Sequence, residues 1–281
     1  MAEVPLVIVD VQRMGPATGA ATTTAQGDVQ FLRWGTSGGF PLIVLCPTDV
    51  EDTYNLTCLA FVLSEKYRVP VVLATDKETA ATLQTVDTSS LKVSSPPFRR
   101  TADPAIPYKP YAVSQPSDVP AMAHFGGPHI VRFNTSTHDP HGYLTKNPEE
   151  IEALNNHLLA KIEAHKNEME FVVSDIQEGA DLLLVSYGVT ARTAAEAVEK
   201  ARREGIPVSL LTIHSLWPLP ENALRSAMRG VSRIIVPELN PGLYRREIER
   251  LACNSADVVG ITRMDGELIT PEQILNEGIL R

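Results

Sequence analysis

The sequence predicts an α/β protein with two parallel-sheet domains, and three observations lead to that prediction. Short β-branched apolar runs recur along the 281 residues, as expected of strands that a parallel sheet buries on both faces. Amphipathic segments alternate with these runs, which is the rhythm of strand–helix–strand units. A chain of this length holds about two domains, and 43% hydrophobic residues allow both to bury a core.

The first half contains three predicted buried strands, at residues 5–10, 41–46 and 69–75. Asp49 can cap a helix that starts near Val50, between the second and third strands. The Gly- and Thr-rich stretch 13–39 is long for a loop, and loops of that length are usually functional or disordered.

A proline-rich segment separates the two halves. Residues 87–120 carry seven prolines, which exclude a helix or a central strand, so we predict an extended crossing. A mostly solvated polar helix follows at 149–169, with one narrow apolar stripe.

A second strand–helix pattern begins at residue 181. Three parallel strands are predicted at 182–185, 208–213 and 233–236, with helices at 191–204 and 221–228. Gly205 is placed to end the first of these helices. The predicted domain bounds are 1–86, 87–170 for the linker and its helix, and 171–281.

Composition excludes several classes of protein. The net charge of −9 and the lack of a basic block argue against nucleic-acid binding. Three widely spaced cysteines argue against a disulfide framework, a zinc site or an iron–sulfur cluster on this chain. With no apolar stretch long enough to span a bilayer, and an acidic Glu3 in place of a basic leader, we expect no membrane contact and a cytoplasmic protein.

Generic catalytic motifs are missing from the sequence. It contains no P-loop or GxGxxG fingerprint. Metal-type spacing occurs once, at His138, Asp139 and His141, but turn residues that cap each other explain it better, so we predict no metal site. The remaining histidines show no repeating relation and are assigned to surface or core: His124, His129, His157, His165 and His214.

The segment from Val9 to Thr22 reads VDVQRMGPATGAAT and continues TTAQGD. It resembles the VDVQRxGPSTGxPT loop, followed by TEQxD, of the 2-oxoacid:ferredoxin oxidoreductase alpha subunit. Further segments resemble that family in order along the chain: YKPY at 108–111, THDPHG at 137–142, NPE at 147–149, LVSYG at 184–188, LWPLP at 216–220 and VPELNPG at 236–242.

The resemblance implies domains of the thiamine-diphosphate, transketolase-like type, with the rear part of a pyrimidine-binding domain first and a transketolase C-terminal-like domain last. It also implies oxidative decarboxylation of a 2-oxoacid to acyl-CoA, with electrons passing to ferredoxin. Thiamine diphosphate would be shared with other subunits, and magnesium and an iron–sulfur cluster would sit on the partner beta subunit.

Arg13 matches the family arginine that binds the substrate carboxylate, and Thr22 matches a threonine that recognises the substrate. A guanidinium fork suits a carboxylate, which supports this interpretation over a solvated loop arginine. Gly15, Pro16, Thr18 and Gly19 are expected to shape the loop near the substrate. For Glu238 and Asn240, which follow a predicted strand, bonding to local backbone amides is at least as well supported as a site role.

Departures from the family pattern leave alternatives open. The loop has Ala17, Ala21 and Ala25 where the family has Ser, Pro and Glu, and Leu243-Tyr244 replaces Gln-Leu. Met1 resembles an internal family position, so we expect the first domain to be incomplete and the chain to be a truncated or split product that is inactive alone. We also expect the ylid-forming glutamate to lie upstream, because Glu51, Glu65 and Glu78 do not match it. The alternatives are the beta chain of a thiamine-dependent 2-oxoacid dehydrogenase and a non-catalytic assembly remnant.

Overall fold

The computed structural model describes residues 1–89, 91 and 99–281. Strands and helices alternate as an α/β protein requires. The strands are β1 Leu6–Val11, β2 Ile43–Leu45, β3 Pro70–Thr75, β4 Val172–Asp175, β5 Leu182–Tyr187, β6 Val208–Ile213, β7 Ser215–Trp217, β8 Arg233–Glu238 and β9 Asp257–Thr262. The helices are α1 Val29–Trp34, α2 Val50–Tyr67, α3 Lys77–Ala81, α4 Pro148–Glu163, α5 Val189–Arg203, α6 Glu221–Ala227, α7 Arg245–Ala252 and α8 Pro271–Gln273, which a π-helical turn, Ile274–Ile279, extends.

Two sheets organise the molecule. The first has the order β1-β3-β2-β7 and the second the order β4-β6-β5-β8-β9. The predicted parallel arrangement of the strands is confirmed, and the structure gives their pairing: β1 and β2 flank β3, and β6 and β8 flank β5, all in parallel. The antiparallel strands β4 and β7 were not predicted, because each is only three or four residues long. Strand β7 comes from the second half of the sequence but pairs with β2 of the first half. The sheets therefore do not follow the predicted division of the chain, and the domain bounds remain a prediction.

The sheets share one apolar core. Val44 and Val72 of the first sheet belong to the same buried cluster as Leu183 and Val236 of the second. Separate clusters lie under α5 and under α2. In the described part of the chain no helix combines the length and the apolar character needed to cross a membrane.

Local chemistry fixes the helix ends. Asp49 caps α2 as predicted, because its carboxylate accepts the Asp52 N–H at 2.8 Å. Helix α5 begins one residue after Gly188, and Gly205 ends it with φ of +80°, as predicted. Helices α2 and α5 begin shortly after β2 and β5, so their amino ends lie at the carboxyl edges of the sheets.

The prediction that the first strand is buried is wrong for this chain. Four apolar side chains of β1 are largely exposed: Leu6 by 51%, Ile8 by 42%, Val9 by 60% and Val11 by 49%. The reason is topological, because β1 lies at the end of its sheet and pairs only with β3 within the described residues. An apolar edge of this kind is suited to pairing with a further strand.

The described part of the predicted crossing at 87–120, residues 87–89, 91 and 99–120, contains no helix or strand, as predicted. Pro96 and Pro97 lie outside the described residues. Arg68 holds the crossing. Its buried guanidinium donates to the carbonyls of Pro110 at 3.0 Å and of Pro120 and Ala121 at 3.2 Å, and burial lowers the pKa of Arg68.

Helix α4 is shorter than predicted and is not simply solvated. His157 and Lys161 are both buried on it and converge on Glu3. His157 Nε2 lies 3.0 Å and Lys161 Nζ 2.5 Å from the same Glu3 carboxylate oxygen. Burial alone would raise the pKa of Glu3, but the hydrogen bond from His157 and the charge of Lys161 outweigh it and lower that pKa to about 2.

We therefore predict that Glu3→Gln destabilises the protein at pH 7. The substitution leaves the buried Lys161 without its counter-charge, which costs about 3–5 kcal/mol of unfolding free energy. Because the folded-state pKa of Glu3 is depressed, its contribution is present above the ordinary pKa near 4.5 and is lost as the pH falls towards 2. Urea unfolding of both proteins between pH 3 and 7 measures the difference.

The matched control is Glu163→Gln, which removes a carboxylate that pairs with Lys166 at the surface, the Glu163 and Lys166 side chains being 69% and 39% exposed. This change is expected to cost at most about 1 kcal/mol at any pH. Equal losses for the two substitutions would contradict the role of burial.

Candidate active site

Arg13 stands at the carboxyl end of β1, two residues past the strand. Its backbone is held at both polar atoms: the N–H donates to Asp28 Oδ2 at 3.0 Å, and the carbonyl accepts the Gly27 N–H at 2.9 Å. The side chain is exposed, and within the described residues its guanidinium makes no hydrogen bond or ion pair. A fixed backbone with a free charged fork is an arrangement that can bind an anion.

The loop between Arg13 and Gly27 has a strained backbone. Ala17 and Thr22 adopt left-handed conformations with φ of +52° and +61°, which are unfavourable for side-chain-bearing residues and concentrate at functional sites. Thr22 is exposed and donates its hydroxyl to the Ala21 carbonyl at 2.6 Å. The threonine oxygen therefore keeps its acceptor capacity towards solvent.

Two of the predicted loop-shaping residues have a clear backbone reason. Gly15 and Gly19 have φ of +68° and +63°, and a Cβ on Gly19 would come within 2.8 Å of the Gly15 nitrogen. Pro16 accepts the Gly19 N–H at 3.1 Å, and Thr18 is exposed. That these residues shape the loop for a substrate stays a prediction.

Gln26 ends the loop and lies fully buried against the second sheet. Its backbone N–H donates to the Leu239 carbonyl at 3.0 Å, and its side-chain oxygen accepts the Leu239 N–H at 3.0 Å. The side-chain amide donates to the Tyr187 carbonyl at 2.9 Å, and the Gln26 carbonyl accepts from Asn240 at 2.8 Å. The loop is thus attached to the ends of both β5 and β8.

The prediction that Glu238 and Asn240 bond local backbone amides is confirmed. Glu238 accepts the N–H groups of Tyr244 and Arg245, each at 2.9 Å. Asn240 accepts those of Gly242 at 2.9 Å and Leu243 at 2.8 Å. These bonds build the turn after β8 and its connection to α7.

Asn240 and Glu238 also bond across the core. The Tyr187 hydroxyl donates to Glu238 at 2.7 Å and accepts from Asn240 at 2.9 Å. Burial raises the pKa of Glu238, and backbone donors counteract part of that rise; burial holds the pKa of Tyr187 well above its usual range. Tyr187 and Glu238 are thus a buried, structural pair.

A second contact joins the sheet edges. Asp76, which follows β3, accepts the N–H of Val189 at the start of α5 at 3.1 Å, and the Thr79 N–H at 2.8 Å. Burial raises the pKa of Asp76. The carboxyl ends of the two parallel sheets therefore face one another, which is where α/β proteins place their sites.

Several polar side-chain atoms at this edge are buried and have no hydrogen-bond partner among residues 1–89, 91 and 99–281. They belong to Asp10, Gln12, Thr24 and Thr75, and the last three are at most 4% exposed. Burial raises the pKa of Asp10 to about 6, with a further rise from Asp28 and an opposing effect of Arg13. Unpaired buried polar atoms are costly, so a ligand or another chain is expected to satisfy them.

The His138 region is a turn, as predicted. Asp139 accepts the N–H groups of His141 and Tyr143, each at 2.9 Å, and His138 is buried against the Met1 carbonyl at 3.2 Å. Among the described residues no three His, Cys, Asp or Glu side chains converge to form a metal site.

The sequence interpretation missed Gln26, Gly27 and Asp28 as site residues. Gln26 and Asp28 lie in the matched TTAQGD run, but nothing in residue type marks a contact with residues far along the chain. Gly27 is required because a Cβ there would lie 2.2 Å from the Arg13 carbonyl oxygen. A single glycine in the sequence does not indicate such a close contact.

Two family descriptions match the chain. Residues 1–156 match the family described as pyruvate flavodoxin/ferredoxin oxidoreductase, thiamine diphosphate-binding. Residues 180–274 match pyruvate:ferredoxin oxidoreductase core domain II. Both descriptions name ferredoxin-linked enzymes, which favours that family over the beta chain of a 2-oxoacid dehydrogenase.

Named relatives agree with these matches. The chain is 35% identical to the 2-oxoglutarate synthase subunit KorA of Methanothermobacter thermautotrophicus, covering 98% of this chain and 73% of the relative. It is 32% identical to the ketoisovalerate oxidoreductase subunit VorB of the same organism, over 98% and 70%.

A solved structure also matches. It is the 2-oxoglutarate:ferredoxin oxidoreductase from Magnetococcus marinus with 2-oxoglutarate, coenzyme A and succinyl-CoA bound, at a TM-score of 0.87 and 27% identity. The match covers 99% of this chain and 48% of that one, so our chain spans about half of it. With the motifs, the two family matches and this fold in agreement, the chain belongs to the 2-oxoacid:ferredoxin oxidoreductase family, as an alpha subunit.

Proposed function

We propose that this chain supplies the substrate-carboxylate site of a thiamine-diphosphate-dependent oxidoreductase. The reaction consumes a 2-oxoacid and coenzyme A, releases carbon dioxide, acyl-CoA and a proton, and passes two electrons to ferredoxin. The chain acts with a beta subunit, in the cytoplasm, and is inactive alone. Family membership supports this reaction. The competing hypothesis is a non-catalytic remnant, which the alanines at 17, 21 and 25 support, and the activity assay below distinguishes the two.

Arg13 carries the proposal. Its guanidinium is exposed while its backbone is fixed by Gly27 and Asp28, so the charged fork can meet a ligand without moving the loop. A carboxylate accepts two parallel N–H bonds from such a fork. Thr22, in the same loop, offers an unused acceptor position. Together they would orient the 2-oxo group of the substrate.

The residues present fit a cofactor at this edge. The unpaired polar atoms of Gln12, Thr24 and Thr75 are of the type that a polar heterocycle such as an aminopyrimidine satisfies. When bound, thiamine diphosphate supplies the electron sink for decarboxylation. We propose that magnesium, the iron–sulfur cluster and the activating glutamate come from polypeptide other than residues 1–281.

For the substrate we propose a 2-oxoacid, with 2-oxoglutarate to be tested first because the relative that is 35% identical is named for it. The VorB relative is named for ketoisovalerate, so a branched-chain 2-oxoacid and pyruvate complete the panel.

We predict that Arg13→Ala lowers kcat/KM for the 2-oxoacid by about 30- to 1,000-fold, chiefly through KM, because two charge-assisted hydrogen bonds of about 1–2 kcal/mol each are lost. Arg13→Lys should recover part of the loss, since it keeps the charge without the fork. The assay is 2-oxoacid- and CoA-dependent reduction of ferredoxin by the assembled enzyme, purified through a tag on this chain.

The control variant is Arg203→Ala, which removes an exposed arginine on α5 that pairs with Glu199. This variant should match the parent enzyme. If the parent assembly is active and Arg13→Ala leaves kcat/KM unchanged, the assignment of Arg13 is wrong; an inactive parent assembly that contains all its subunits and cofactors supports the remnant instead.

The carboxyl group beside Arg13 gives a pH-dependent prediction. Because burial raises the folded-state pKa of Asp10 to about 6, the stability associated with its neutral form is present below pH 4 and lost as the pH rises through 6. Asp10→Asn should therefore stabilise the protein by about 1–3 kcal/mol at pH 7 and have little effect at pH 4. Thermal melts between pH 4 and 8 measure this.

Glu152→Gln, on the exposed side of α4, serves as the comparison and should leave the melting temperature unchanged at every pH. A stabilisation by Asp10→Asn that is the same at pH 4 and pH 7 would show that the charge of Asp10 is not its cause.

A further inference from the structure

We propose that Gln26 and Asn240 are positioning residues, which make the second sheet set the orientation of Arg13. The inference rests on the proposed role of Arg13 in binding the substrate carboxylate. Gln26 and Asn240 would thus determine the affinity for the substrate without touching it.

Each of the four polar groups of Gln26 has a hydrogen-bond partner in the second half of the chain. Its backbone and side chain each donate one and accept one hydrogen bond, and all four partners lie on Tyr187, Leu239 and Asn240. With Leu239 it forms a reciprocal pair in which the side-chain oxygen of Gln26 takes the place of a backbone carbonyl. Gly188 permits this approach, because a Cβ there would lie 2.7 Å from the Gln26 amide nitrogen.

Asn240, which bonds the Gln26 carbonyl, is itself held in place. Asn240 accepts two N–H groups within its own turn and donates to the Gln26 carbonyl and to the Tyr187 hydroxyl. Each of its side-chain atoms is thus engaged twice, and the residue is 2% exposed. The support for Gln26 is therefore itself fixed by four bonds.

Gln26 is connected to Arg13 through the residues that follow it in the sequence. The two residues that follow Gln26 hold both backbone polar atoms of Arg13, through the Gly27 N–H at 2.9 Å and the Asp28 carboxylate at 3.0 Å. No side chain fits at Gly27 without a backbone shift, because a Cβ would lie 2.2 Å from the Arg13 oxygen. A displacement of Gln26 is thus transmitted to the Arg13 backbone over one residue.

Gln26→Met tests the connection, since it keeps the length of the side chain and removes both of its bonds. We expect kcat/KM for the 2-oxoacid to fall about 10- to 100-fold, mainly through KM, because a misplaced binding group loses affinity. The matched control is Gln30→Met: Gln30 also bonds a second-half carbonyl, that of Leu243 at 2.9 Å, but lies on α1 beyond Asp28. It should leave kcat/KM within about twofold of the parent.

A double-mutant cycle separates positioning from general destabilisation. If Gln26 acts through Arg13, adding Gln26→Met to Arg13→Ala should change kcat/KM less than about twofold further. A full additional 10-fold loss on the Arg13→Ala background would overturn the proposal. Arg13→Ala without effect would instead overturn the proposed function, so the two failures are distinguishable.

Limited trypsin digestion gives a readout that does not depend on activity. Cleavage after Arg13 requires the loop to leave its backbone contacts, so Gln26→Met should accelerate it at least about tenfold, and Gln30→Met should not. Equal rates for the three proteins would contradict the proposal. Should Gln26→Met fail to fold, Asn240→Ser replaces it in both experiments, because serine can still accept the Gly242 N–H but no longer reaches Gln26.

Discussion

Gln26 lies between the carboxyl ends of β1 and β8, and all its hydrogen-bonding groups have partners across the junction of the two sheets. Leaving such buried groups unpaired costs about 1–3 kcal/mol each, so the sheets cannot slide or separate here without a large loss. The Arg13 loop is closed between β1 and this junction. Its position therefore depends on both sheets together.

Two kinds of interaction hold the sheets and their crossing segment. At the carboxyl edges the contacts are directional hydrogen bonds, through Gln26 and through Asp76. Elsewhere the buried charges of Glu3, Lys161 and Arg68 hold the first residues, α4 and the proline-rich crossing together. Hydrogen bonds and ion pairs need particular partners in a fixed geometry, whereas apolar packing tolerates the exchange of hydrophobic side chains of similar volume.

The candidate site combines a fixed backbone with free functional groups. Arg13 is held at its N–H and carbonyl, and no described residue bonds its side chain. Ala17 and Thr22 keep left-handed conformations in the same loop. Strain of this kind persists only where the surrounding structure determines the backbone. The junction at Gln26 provides that determination, which connects the fold to the proposed recognition of a 2-oxoacid.

The sequence by itself determined the strand–helix alternation and the Asp49 cap, and its motifs indicated the family. Periodicity and capping are local properties, and a motif is a continuous run of residues, so all three can be recognised without knowledge of the fold. Only the tertiary structure decided that β1 is an exposed edge, that β7 joins the first sheet, and that Gln26 meets Leu239, which is 213 residues away. Contacts at that separation depend on how the sheets pack, and residue type and spacing do not encode this locally.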